Sequence, residues 1–251
     1  MEIFEAHRER IITSIVLVLG LLIIGMIDNF FIMWLIFGAI YLLAFKEAIQ
    51  LFGIENDGLV PFATGLWLIV GVYPYGDDLF VLACVVYASA VAFNKELRWK
   101  EFFPFIYPTA GMLFMFTMYQ EYGVMSLFWL LGVVAFTDIG AYAVGKSIGK
   151  RQFCETSPNK TMEGVIGGVS VATICGAFFG LSIVDFRVAF FVSFAVAVSS
   201  IFGDLYESSL KRAAGVKDSG DLLPGHGGIL DRIDGYLFGA IVMLVLLRGL
   251  V

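Results

Sequence analysis

The sequence predicts an all-α, polytopic integral membrane protein of about nine transmembrane helices, with a cytoplasmic N-terminus and the C-terminus on the opposite side. Three observations predict this. Of 251 residues, 59% are hydrophobic and only 15% charged, where a soluble domain carries about a quarter charged residues, and the mean hydropathy is +0.89. Apolar runs recur from end to end, separated by short polar or Gly/Pro-containing breaks. The basic residues are segregated by the alternation of those runs.

The runs fall near 11–27, 30–45, 59–74, 79–93, 103–119, 123–144, 164–184, 187–203 and 236–250. Several are shorter than the ~20 residues of an upright span, so their ends must extend into polar flanks or the bilayer must thin locally. The first run follows a charged start (Glu5, His7, Arg8, Glu9, Arg10) without a small-residue cleavage site, and it is read as a retained helix. Only Asp28 and Asn29 separate it from the second run. That spacing predicts a tight helical hairpin.

Nine crossings from a cytoplasmic N-terminus place fourteen of the sixteen Lys and Arg residues on one side and leave only Arg187 and Arg248 on the other. This is the positive-inside pattern. The opposite loops, such as YGDD at 75–78 and QEYG at 120–123, are short and acidic or neutral. The three cysteines, Cys84, Cys154 and Cys175, have neither paired nor zinc-ligand spacing.

Polarity is uneven along the chain. Residues 1–122 (about five helices) contain ordinary short loops. Residues 123–251 form the expected catalytic region, with polar cytoplasmic segments at 145–163 and 204–235, the two halves making one integrated membrane unit.

Polar constellations stand out there. In FTDIGAYAVGKSIGK (136–150), Asp138 and Tyr142 share a helical face with Gly145 beneath them; an acid at a span edge points to function by default, or to a cap within the bundle. In SPNKTMEGVIGG (157–168), Ser157, Lys160, Thr161 and Glu163 precede a helix whose free N–H groups attract anions. A simple capping loop is the alternative, and the spacing is not that of a Walker A motif. In GDLYESSLKR (203–212), Asp204, Glu207, Ser208 and Lys211 form one helical stripe, suited either to a solvated ion-pair face or to a hard cation. LPGHGGILDRIDG (223–235) contains His226, Gly225, Gly227 and Gly228, then Asp231, Arg232 and Asp234, with Lys217 and Asp218 just ahead. Asp231 and Asp234 are three apart and can face the same side, while Arg232 can grip a phosphate.

Oxygen ligands for Mg²⁺, basic side chains and glycine loops are the parts of phosphoryl or nucleotidyl transfer, where positioning and charge neutralisation do most of the catalysis. No Ser/His/Asp, HExxH or CxxC pattern competes. A site at the membrane face suits a soluble nucleotide and a lipid acceptor.

SLKRAAGVKDSGDLLPGHGGILDRID (209–234) resembles the signature of the phosphatidate cytidylyltransferases, the CDP-diacylglycerol synthases. The 136–150, 157–168 and 203–212 stretches are also similar to family motifs, although Asn159 stands where many members carry Lys. The resemblance implies the reaction CTP + phosphatidate → CDP-diacylglycerol + pyrophosphate, dependent on Mg²⁺, with K⁺ as a candidate second ion. It implies a membrane-embedded homodimer, in a bacterial inner membrane with its site facing the cytoplasm; no nucleic-acid partner is expected.

On this footing Asp204 and Asp231 are the expected metal ligands, with Asp234 and Asp138 as additional ones. Lys160, Lys211, Arg212, Lys217 and Arg232 hold phosphates, and His226 with Gly227 and Gly228 shapes the loop around pyrophosphate. Glu163 and Glu207 orient the bases, and Ser157, Thr161, Ser208 and Asp218 complete the substrate site. A CTP-using polyprenol or phytol kinase would employ a similar set of groups. A transporter would instead place polar groups near mid-bilayer in both halves.

Overall fold

The computed structural model describes residues 19–56, 58–94, 97–222, 225 and 227–251. Residues 19–27 form the described part of α1. They are followed by α2 (Phe30–Leu51), α3 (Leu59–Val70), α4 (Gly76–Phe93), a 3₁₀ turn (Trp99–Phe102) leading into α5 (Phe103–Ile106), and α6 (Thr109–Tyr122). The second half comprises α7 (Val124–Ile148), α8 (Met162–Gly180), α9 (Phe186–Ala213) and α10 (Leu230–Leu250). Among the described residues there is no strand; Gln152 and Thr161 form an isolated bridge. Among the described residues, seven helices, with 99–122 counted as one, are long and apolar enough to cross a membrane. The protein is a multi-pass membrane protein.

The helix starts follow local chemistry. At the expected hairpin, Asp28 turns with φ +40° and the Asn29 side chain accepts from Ile32 N at 3.2 Å. Tyr119 then donates to Asp28 across the bundle at 2.9 Å. Thr161 caps α8 by accepting from Gly164 N, and Asp185 caps α9 by accepting from Arg187 N. These side chains satisfy N–H groups that a helix start leaves without partners.

α10 occupies the centre. Its Leu230 and Leu237 join a core with α2, α3 and α6, and its Ala240, Met243, Leu244 and Leu247 join a second core with α7, α8 and α9. The 99–122 segment is largely interior, with 72% of its apolar window buried, whereas α4 buries only 17%. α4 therefore presents Val81, Leu82, Val85 and Val86 outward, as a lipid-facing helix does.

α7 and α8 pack backbone to backbone through small residues, the close approach that glycines permit between membrane helices. A Cβ added at Gly168 would lie 2.5 Å from Thr137 O, and one at Gly164 would lie 2.7 Å from Ala141 O. Both obstacles are rigid carbonyls. Gly168→Ala is therefore expected to destabilise the detergent-solubilised protein by about 1–3 kcal/mol through overpacking, read as a lowered thermal midpoint.

Two departures from the sequence expectation have physical causes. The 59–74 run yields a helix of only 12 residues, roughly 18 Å long at 1.5 Å per residue against a hydrocarbon core of about 30 Å. It is pinned to α2 by reciprocal bonds in which Trp34 Nε1 donates to Trp67 O (3.2 Å) and Trp67 Nε1 to Trp34 O (3.0 Å). Second, the polar motifs are largely helical: α7 continues to Ile148, α9 to Ala213, and α10 begins at Leu230. The stretches between these helices are 149–161 and 214–229, the latter described except at 223, 224 and 226. No Pro interrupts 203–213, and its acidic and basic residues at i,i+4 support the helix beyond the apolar run. The 11–18 part of the first run lies outside the described residues.

Opposite ends of the bundle differ in chemistry. At one end Arg248 of α10 pairs with Asp77 of α4 and Glu121 of α6, which accounts for one of the two basic residues on the sparse side. At the other end lie the ends of α7 and α9, the starts of α8 and α10, and their connecting loops.

Candidate active site

The last turns of α9 build the centre of the site. Asp204, Glu207, Ser208 and Lys211 lie on one stripe, as their spacing predicts. Lys211 Nζ is 2.6 Å from Glu207 Oε2 and 2.6 Å from Asp231 Oδ1, so one ammonium joins α9 to α10. The Glu207 side chain is fully buried, and its Oε1 has no hydrogen-bond partner. One turn earlier, Asp204 pairs with Lys160 of the 149–161 connection and accepts from Ser208 Oγ at 3.2 Å.

Asp231 is held from several directions. Its Oδ2 accepts from Ser219 N (2.8 Å), Ser219 Oγ (2.9 Å) and Gly228 N (2.8 Å). Gly228 must lack a side chain: a Cβ there would collide with Ser219 Oγ and lie 2.5 Å from Glu47 Oε2. Asp234, one turn along α10, lies within electrostatic reach of Asp204, Glu207 and Asp138. α9 and α10 come this close because Gly203 faces the Asp234 carbonyl, where a Cβ would sit 2.5 Å from the oxygen.

A cavity of about 470 Å³ adjoins this centre, lined by Thr137, Asp138, Tyr142, Ser157, Lys160 and Thr161 among others. It unites two motifs that are separate in sequence, the end of α7 and the loop before α8. Lys160 reaches it and contacts Asp204 as well, which links the cavity to the α9 stripe. At its rim Lys146 Nζ donates to Tyr142 Oη at 3.2 Å and stands 5.4 Å over the same ring. A volume of a few hundred Å³ with several convergent polar groups is the usual form of a small-molecule site.

The other expected residues divide. Glu163 accepts from Lys150 N (3.0 Å) and Arg151 N (3.2 Å), so it orders the loop backbone, with the Arg151 side chain within its electrostatic reach. Thr161 is spent on capping α8. Arg212 is exposed and donates to Val216 O at 3.3 Å, while Lys217 and Asp218 are exposed on the 214–229 connection. Gly227, with φ +80°, takes the left-handed turn that glycine permits. Arg232 lies within electrostatic reach of Asp138. His226 lies outside the described residues.

Sequence reasoning passed over Glu47 and Ser219. Ser219 lies in the quoted signature but carries no charge. Glu47 is an acid within the apolar run LLAFKEAIQL (42–51), a signal readable in principle, but nothing nearby in sequence indicates its partners.

Among the described residues, no group of three or more His, Cys, Asp or Glu is placed to hold a metal ion unaided. Asp138, Asp204 and Asp234 nonetheless share one electrostatic neighbourhood. With Glu207 and Asp231, the acids of this region outnumber Lys160, Lys211 and Arg232. That surplus of hard oxygen donors fits Mg²⁺, which commonly uses one or two carboxylates and completes its shell with substrate phosphates and water.

A family model described as "Cytidylyltransferase family" matches residues 8–250. A phosphatidate cytidylyltransferase of Helicobacter pylori (strain J99) is 40% identical over 249 residues, covering 98% of this chain and 93% of that protein. One of Staphylococcus aureus (strain COL) is 33% identical over 225 residues, 82% of this chain and 86% of the relative. One of Thermotoga maritima is 38% identical over 172 residues, 65% and 61% of the respective chains. These similarities run through the plain apolar half as well as the motif-bearing half, and the chain belongs to the cytidylyltransferase family.

Proposed function

We infer that the protein is a phosphatidate cytidylyltransferase, which transfers CMP from CTP to phosphatidate to give CDP-diacylglycerol and pyrophosphate. The observation that carries this reading is the paired arrangement beside the cavity: Lys160 on Asp204, and Lys211 between Glu207 and Asp231. A phosphate oxygen of phosphatidate forms the new bond to the α-phosphorus of CTP. The bond from that phosphorus to the bridging oxygen breaks, and pyrophosphate leaves with the electron pair. The acceptor is already an anion, so no strong general base is needed.

This chain's residues neutralise and position. Lys160 and Lys211 put positive charge beside the reacting phosphates, with Arg232 near Asp138 and Arg212 and Lys217 at the exposed approach. Ser157 and Thr161 line the cavity, and Ser208 orients Asp204. His226, Asp218, Gly227 and Gly228 belong to the loop assigned to pyrophosphate.

Mg²⁺ is part of the proposal, held by Asp204 and Asp231 with Asp138 and Asp234 as additional donors. When bound it offsets the repulsion between CTP and acceptor phosphates. K⁺ is proposed as a second ion in the same acidic neighbourhood.

The proposal extends to nine spans, the short α3 crossing where the bilayer thins locally, a cytoplasmic N-terminus, a site facing the cytoplasm of a bacterial inner membrane, and a homodimer. The distribution of Lys and Arg supports that orientation.

The test uses purified protein in detergent with phosphatidate, Mg²⁺ and CTP labelled separately in the cytidine and in the γ-phosphate. Cytidine label is expected in the lipid and γ-label in pyrophosphate. A lipid carrying γ-label but no cytidine would overturn the reading in favour of a CTP-dependent lipid kinase.

A further inference from the structure

Glu47 lies near the C-terminal end of α2 and is 8% exposed. An acid there is doubly disfavoured: its charge is removed from water, and it sits toward the negative end of its own helix dipole. What compensates it lies far along the chain. Oε1 accepts from Ile229 N at 2.9 Å, and Oε2 accepts from Leu230 N at 2.8 Å and lies 2.9 Å from Ser219 Oγ, whose single proton is shared with Asp231 Oδ2.

These bonds complete the start of α10, whose N-cap Ile229 has no side-chain acceptor of its own. Gly228 N goes to Asp231, Ile229 N and Leu230 N go to Glu47, Asp231 N goes to Ser219 Oγ at 3.3 Å, and Arg232 N goes to Ile229 O. Every N–H from 228 to 232 therefore has an acceptor. Two glycines make room for the carboxylate: a Cβ at Gly220 would lie 2.8 Å from Glu47 Oε1, and one at Gly228 would lie 2.5 Å from Oε2. The Ser219 hydroxyl touches both acids, Glu47 and Asp231.

We infer that Glu47 is a positioning residue of the active site: its carboxylate fixes Ser219 and the 228–230 backbone, and through them aims Asp231 at Lys211. The inference rests on the nucleotidyltransfer reading for its catalytic consequence. It makes α2, from the half of the chain without motifs, part of the catalytic unit. Without the carboxylate the Ile229 and Leu230 N–H groups would lose their acceptors at the start of α10, so stability and positioning are separated by measuring activity per folded molecule. An acceptor for two backbone donors, with a share in the Ser219 proton, is what this position supplies.

The experiment compares wild type with Glu47→Gln and Ser219→Ala as full-length proteins in detergent. It measures the folded fraction, kcat per folded molecule, KM for CTP, and amide exchange of 216–231. A Gln keeps the shape but replaces one acceptor oxygen with a donor. Glu47→Gln is expected to lower kcat about 10–100-fold, the scale of losing a group that orients a ligand-bearing side chain. KM is expected to change much less, and exchange to rise at 219 and 228–231 but not in α7 or α8. Ser219→Ala should do the same more weakly, and the double variant should lose less than the product of the singles. Unchanged kcat per folded molecule, or a loss matched by the folded fraction, would overturn the inference. If wild type itself makes no CDP-diacylglycerol, the functional reading fails separately. The exchange measurement then decides on Glu47, and unchanged protection at 219 and 228–231 would sink it.

Discussion

Asp204→Asn is expected to reduce CDP-diacylglycerol formation by about 10²–10³-fold or more while the thermal midpoint barely moves. The two effects separate because of where Asp204 sits. Its side chain is 34% exposed, and an Asn retains the volume and an oxygen to accept from Ser208 Oγ. The partly exposed pair with Lys160 contributes at most about 1 kcal/mol to stability. Catalysis is another matter. The lost charge is the one facing Lys160 at the cavity and sharing a field with Asp138 and Asp234. Removing a preorganised electrostatic group from a transfer site has effects of this order.

Asp231→Asn is a poorer probe. The Asp231 carboxylate receives Lys211, Ser219 and Gly228, so its loss would disturb structure and chemistry together. Initial rates with labelled CTP, and melting in the same detergent, check the Asp204 prediction. Near-normal turnover would remove Asp204 from the mechanism.

Lys211→Met is expected to cost stability as well as activity, by about 3–5 kcal/mol. The ammonium lies 2.6 Å from each of two carboxylates, and the side chains of Glu207 and Asp231 are 0% and 6% exposed. Methionine replaces most of the stem but leaves both acids without their cation. Breaking a buried ion pair from one side is much costlier than never having built it. Adding Glu207→Gln to Lys211→Met should therefore recover part of the loss, since it removes one of the stranded charges. Denaturation of the single and double variants in one detergent provides the comparison. A double variant less stable than the single would show that Glu207 is stabilised by something other than Lys211.

Much of the helical frame was readable before folding, for particular reasons. The Asp28–Asn29 break could only be a hairpin, because a helix through both runs would be far longer than the bilayer is thick. The Asp204, Glu207, Ser208 and Lys211 stripe was readable because 3.6-residue periodicity alone sets its face, and the Glu207–Lys211 pair is local. Helical continuity through 204–213 was harder to see. A drop in hydropathy looks like the end of a span, yet backbone hydrogen bonding continues wherever propensity and i,i+4 pairing allow it. The 59–74 run exceeds its helix for the converse reason: residues 71–74 stay apolar but are no longer helical.

By itself, the sequence determined that this is a multi-helix membrane protein, that its chemistry gathers in the second half, and which residue types carry that chemistry. Those properties follow from hydropathy and short-range spacing, which depend only on neighbours along the chain. Tertiary structure alone decided the partnerships. Lys160 goes to Asp204, Lys211 is shared with Asp231, and Glu47 crosses 172 positions to reach Ser219. Such choices depend on how closely helices approach, and that is set by glycines at 164, 168, 203 and 228 meeting backbone or side chains distant in sequence. A glycine shows that close approach is allowed. Only the packed bundle shows what approaches.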